Sequence, residues 1–161
     1  MYFEFSKAGN PLFTKIHPLL AGMIQMIAVD PWERYPDGSS RLLPSPGEDE
    51  ELLLDWEDLV QPELRRHFTA ERSVVAEDLS QLKQGRGKNP SWSLEIPREH
   101  TDAWLTTLNA HRLALVTECH LTEEELAEKI EPDFSNERAF ALMQVNFFAF
   151  MQECLIRGME E

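Results

Sequence analysis

Between Trp104 and His120 the sequence WLTTLNAHRLALVTECH sets a guanidinium where an apolar stripe should run. Wound at about 100° per residue, Trp104, Leu108, Leu115 and Cys119 share one face, with Arg112 in the middle of it and Asn109 on its edge. Arginine is a permanent cation with a planar fork of donors, a shape that matches carboxylates and other anions. The neighbouring helical positions hold Leu108, Leu115 and Val116, so no acid three or four residues away can pair with it. A buried guanidinium without a partner is strongly destabilising, so the partner must come from another segment. Glu57, Glu71 and Asp78 are candidate acids, and the C-terminal helix offers Gln144 inside its apolar arc and Gln152 on one flank. Three readings stay open at this point. Arg112 is a polar lock between helices, or it binds an anion or a carboxylate-bearing partner together with Asn109, or its long stem carries the charge to the surface.

Other residue types that could do chemistry carry weaker signals. Cys119 and Cys154 lie on apolar faces, where cysteine behaves as a small buried hydrophobe. If the last two helices are antiparallel neighbours, Cys119 lies at the start of the last one, with Cys154 roughly 20 Å along it at about 1.5 Å per residue. That exceeds the reach of a disulfide, so a redox pair needs a different packing. His17, His67, His100, His111 and His120 form neither H-E-x-x-H nor E-x-x-H, so no metal site is expected, and no cofactor. The GRGK turn lacks the spacing of a nucleotide-binding loop, and no G-x-S-x-G elbow occurs. No catalytic residues are nominated.

A formal charge of −14 repels a phosphate backbone at long range. Arg65, Arg66, Arg72, Lys83, Arg86 and Lys88 form a local basic region, but Glu71, Glu77 and Asp78 interrupt it, so nucleic acid is not an expected partner. Two cysteines make no disulfide framework and the first residues show no secretory pattern, which points to the cytoplasm. The mostly apolar run from Pro18 to Val29 is too short to span a bilayer and contains Gln25, so no membrane association is expected.

The elements that must position these residues read as a mainly α, single-domain helical bundle over residues 1–161. Helices are predicted from about His17 to Val29, after GEDEE, from Pro62 to Lys83 with a break near Thr69, from 100 to 119, after Thr122, and from Asn136 to about residue 159. Residues 31–47, rich in proline, read as a loop inside the domain. MYFEFS and SWSLEIP alternate like strands and are predicted to pair, giving a two-stranded element of about residues 1–6 with 91–96. Phe140, Met143, Phe147, Phe148, Met151 and Leu155 make the last helix apolar over about half its circumference, as a core helix or a homodimer seam would be.

WLTTLNAHRLALVTECHLTEEE, followed by FFAFMQECLIRGM, resembles a bacterial family described as a domain of unknown function, whose gene often lies beside that of the protease adaptor ClpS in actinobacteria. The resemblance covers roughly the last hundred residues. Its pattern falls here on Trp104, Leu105, Asn109, Arg112, Gln152, Glu153 and Arg157. The Pro-rich segment and the strongly acidic connector depart from it. The resemblance implies a small, mostly helical cytoplasmic protein with a link to Clp-type proteolysis or stress response. The expected function is therefore a non-enzymatic regulatory or protein-interaction module with a protein partner. The alternatives are a small anionic-ligand binder or enzyme with its site around Arg112 and Asn109, and a redox or transcriptional regulator.

Overall fold

In a computed structural model that describes residues 1–36, 41–43, 45–86, 90–127 and 136–160, the first sixteen residues form a hairpin. Strand β1 (Tyr2–Phe5) pairs antiparallel with β2 (Pro11–Ile16). Gly9, at φ 81°, closes the turn in a left-handed conformation that glycine adopts without steric cost. The Ser6 hydroxyl accepts from the N–H groups of Ala8 and Asn10 across the same turn.

β2 also pairs with β4 (Trp92–Glu95), which in turn pairs with β3 (Lys83–Gln84), so the sheet runs β1-β2-β4-β3. This corrects the two-stranded expectation: residues 1–6 do not pair with 91–96, because β2 lies between them. The sequence hid β2 for a physical reason. Its register with β4 shifts between Phe13 and Ile16, and Lys15 sits at φ 50°. The irregularity puts Phe13 and Ile16, both fully buried, three residues apart. Strict alternation is the signal of a strand, and a bulge erases it.

Helix α1 (Pro18–Met26) begins as predicted, with Pro18 in its first turn and the His17 imidazole accepting from Leu19 N–H. It ends three residues short of Val29. Asp30 then caps a short helix α2 (Pro31–Arg34), so the predicted loop 31–47 is helical at its start; residues 37–40 and 44 of that loop lie outside the described residues.

Asp49 caps α3 (Glu50–Asp55), which runs through a π-helical turn (Trp56–Val60) into α4 (Gln61–Leu79). Pro62 explains the π turn: it has no N–H to continue the ladder, and its ring crowds the preceding turn. The chain shifts register just before it, with Gln61 N–H bonding Trp56 C=O. The predicted break near Thr69 does not occur; the Ser73 hydroxyl bonds Thr69 C=O inside an unbroken helix.

A 3₁₀ turn (Arg98–His100) leads into α5 (Thr101–Glu118), which packs against both α4 and the long α7 (Glu137–Glu160). Between them, Thr122 and Glu125 form a reciprocal capping box for α6 (Glu123–Ala127), as the sequence predicted; residues 128–135 lie outside the described residues. Arg138 on α7 grips Glu125 with two nitrogens and donates to the carbonyls of Cys119 and His120, where α5 ends with His120 at φ 49°. That bidentate pairing holds the Glu125 carboxyl down at about 2.

The core lies where α5, α7, α1 and the inner face of the sheet meet, around Trp104, Phe13, Phe148, Ile24, Leu94 and Leu155. The molecule is mainly α with a four-stranded antiparallel sheet attached. α7 over Glu137–Met159 is long and apolar enough to cross a membrane by length and composition, but here Phe148, Met151 and Leu155 are packed into the core. At its far end Gly158 lies so close to Phe3 and Phe5 that a Cβ there would come within 3.1 Å of the Phe5 ring.

Candidate functional site

α5 and α7 run antiparallel, with Cys119 C=O meeting Arg138 at one end and Leu105 C=O accepting from Gln152 at the other. Arg112 leans across this seam, and its Nη1 donates to Gln152 Oε1 at 2.5 Å. None of the three candidate acids reaches it. Glu57 is exposed on the π turn, Glu71 faces His67 at 3.7 Å, and Asp78 is engaged elsewhere. The partner from outside the helix is a neutral amide. Gln152 is held by both ends, donating to Leu105 C=O at 3.1 Å while accepting from Arg112.

The guanidinium is therefore half-buried, held by a neutral acceptor, and desolvation lowers its pKa. Its Nε is buried and has no hydrogen-bond partner. Beside it opens a shallow groove of about 510 Å³ lined by Arg112, Ala149, Gln152, Glu153, Ile156 and Arg157. Arg157 is exposed and pairs with Glu153 one turn earlier. Four of the six sequence candidates thus come together in one place.

The other two do not. Asn109 is exposed on α5 and lines no part of this groove, because the stripe edge it occupies faces solvent. Gln144 is buried and donates weakly to the Met26 sulfur at 3.7 Å. It borders a second groove, with Arg34, Tyr35, Cys119, Glu137 and Phe140 among its neighbours. There the Tyr35 hydroxyl accepts from Arg34 Nε at 2.9 Å, and burial raises the tyrosine pKa. Cys119 also lines this groove; burial, followed by the charges of Glu137 and Glu118, pushes its thiol up, away from the reactive thiolate. Cys154 is buried, and its thiol is raised mainly by desolvation. Neither cysteine is in a disulfide.

Sequence reasoning missed two polar centres along the buried face of α5. At its start, the Asp78 carboxylate is buried and accepts from Trp104 Nε1 at 2.8 Å and from His100 Nδ1 at 3.0 Å. This joins α4 to α5 and gives each carboxylate oxygen a partner. Midway along, His111 is almost completely buried, with the carbonyls of Ile27 and Val29 close to the ring and Tyr35 stacked edge-on at 6.1 Å. Burial outweighs the carbonyls and lowers its pKa to about 4, so the ring is neutral near pH 7. His111 Nε2 and Thr107 Oγ1 find no hydrogen-bond partner among the protein atoms. Both residues line a void of about 10 Å³ with Pro31, Phe68, Arg72 and Ala110. The available signal was the set Thr107, Ala110, His111 and Ala114, which at about 100° per residue adjoins Trp104 and the leucines and widens the stripe to about half the helix.

The basic region is largely neutralised or stacked. Arg66 pairs with Glu63, Arg72 with Asp30 at 2.6 Å, and Arg65 lies over the Trp32 ring; Lys88 lies outside the described residues. Among the described residues no cluster of three or more metal-ligating side chains occurs.

A family model described as Domain of unknown function (DUF2017) matches residues 20–159, and the chain belongs to that family. No curated protein and no solved structure matches it. The family match covers α1 to α7 and so includes both helices of the Arg112 groove, while β1 and β2 precede it.

Proposed function

We propose that this chain is a non-enzymatic interaction module whose α5/α7 groove receives a carboxylate-bearing segment of a partner polypeptide against Arg112. The observation that carries the reading is the half-buried guanidinium held by a neutral glutamine at the edge of an open groove. A cation that the fold meant only to bury would be expected to meet an acid, as Arg72 of α4 meets Asp30 at 2.6 Å. Here the charge keeps part of its donor capacity for an outside acceptor, and Arg157 adds a second positive group on the rim. An open, shallow groove favours a peptide over a small free anion, because small-molecule sites enclose most of their ligand. An anionic metabolite is the second reading, and it would use the same Arg112. A cytoplasmic setting in Clp-type proteolysis or stress response, implied by the family resemblance, would suit an adaptor of this form.

Selection from a random peptide display library tests the proposal, with the wild-type chain and Arg112→Gln as baits. The expected result is a pool enriched in Asp or Glu beside aliphatic residues, with affinity lowered about tenfold or more in the variant. A pool with no acidic preference, or one indifferent to the substitution, overturns it.

A further inference from the structure

The helical run from Glu50 to Val60 contains no buried residue. Leu52, Leu54 and Leu59 are 48%, 60% and 67% exposed there, set among Glu50, Glu51, Asp55, Glu57 and Asp58. The run is the N-terminal end of the long α4 rod, and outward leucines on it, Leu52 and Leu59 above all, call for an apolar surface to cover them. The α5/α7 groove has the complementary character. Ile156 lines it, Phe150 and Met159 stand half-exposed on the same helix, and its charged lining is Arg112 and Arg157 against Glu153. In a chain of net charge −14 this is a locally positive, apolar surface.

We propose that the two surfaces are halves of one interface: the Glu50–Val60 arm of one copy docks in the α5/α7 groove of a second copy, and the reverse contact forms at the same time. This rests on the reading of the groove as a carboxylate receiver, and names its occupant. Reciprocity gives a closed two-fold dimer, whereas a one-way contact would propagate into a filament. Repulsion between two acidic chains is screened beyond about 8 Å at physiological salt, while the arm carboxylates meet the arginines well inside that distance.

Sedimentation velocity from low to high micromolar protein is the test, on the wild type, on Leu52→Ser/Leu59→Ser and on Ile156→Glu. All three positions are exposed, so the fold is expected to survive, with circular dichroism as the check. The expected result is a wild-type dimer whose dissociation constant rises about tenfold or more in each variant. In Arg157→Lys, carbodiimide is expected to couple position 157 to an acid between residues 50 and 58 of another copy, identified by mixing light and heavy isotopes. A wild type that stays monomeric, a dimer indifferent to both variants, or couplings that avoid the arm each overturn the dimer. The peptide selection is repeated on the arm variant, which separates the two ideas. Arg112-dependent peptide binding by a monomeric wild type overturns the dimer alone. A dimer sensitive to both surfaces in a chain that binds no acidic peptide supports the dimer and overturns the partner-peptide reading.

Discussion

Helix α5 meets two charged groups in opposite circumstances, the Asp78 carboxylate of α4 and its own Arg112. At its first turn Trp104 and His100 hand two donors to the buried Asp78 carboxylate. Two turns further on Arg112 meets a neutral amide beside an open groove. The first arrangement is closed: each partner holds the other, and α4 is fastened to α5. The second is open: the guanidinium meets one neutral acceptor, and a groove lies beside it. On the reading proposed above, the closed pair is architecture and the open one serves recognition.

Changes at each centre can break or sharpen this contrast. The largest effect is expected at His111, the fully buried neighbour. The neutral folded ring cannot take up a proton until about pH 4, while the unfolded chain takes one up near 6.5. Stability from this residue is therefore complete above pH 6.5 and falls as the pH drops toward 4, by roughly 3 kcal/mol over the whole interval. Denaturant titrations across that range check it, and His111→Asn is expected to remove most of the slope. Next is Asp78→Ala, which strands the buried Trp104 N–H and should cost about 2–3 kcal/mol by the same measurement. By contrast Arg112→Met, which replaces the guanidinium with an apolar chain, is expected to change stability by less than about 1 kcal/mol in either direction. Its effect should fall on peptide binding. A loss at Arg112 as large as that at Asp78 would make the two centres alike and would end the distinction. The smallest effect is expected at Asn109→Ala, within about 0.5 kcal/mol and with binding unchanged, because Asn109 is exposed outside the groove.

Much of the helical frame was legible because caps and prolines act locally. Thr122 with Glu125, Asn136 before α7, and Pro18 at the start of α1 all behave as their positions imply. Arg112 was legible as a misfit, and Gln152 as a flanking amide that could reach it. The acids proposed for Arg112 failed for reasons that spacing does not contain. Asp78 faces α5 one end away, toward Trp104, and Glu57 rides on a segment that packs into no core. Asn109 failed because a place on the edge of a helical stripe is decided by which neighbour packs there. His111 was hidden because the stripe was drawn too narrow. Thr107, Ala110, His111 and Ala114 are buried along with Trp104, Leu108 and Leu115, one continuous face covering about half of α5. β2 escaped because its bulge breaks the alternation that marks a strand.

The contact of Gly158 with Phe3 and Phe5 bears on the order in which the molecule is assembled. The first strand leaves the ribosome long before the last helix, so its aromatic rings wait until α7 has been made for the surface that shields them. Contacts of such high sequence separation close late and slow the overall reaction. Hydrogen exchange during refolding is expected to protect β1 together with the last turns of α7, in the final phase, as one unit.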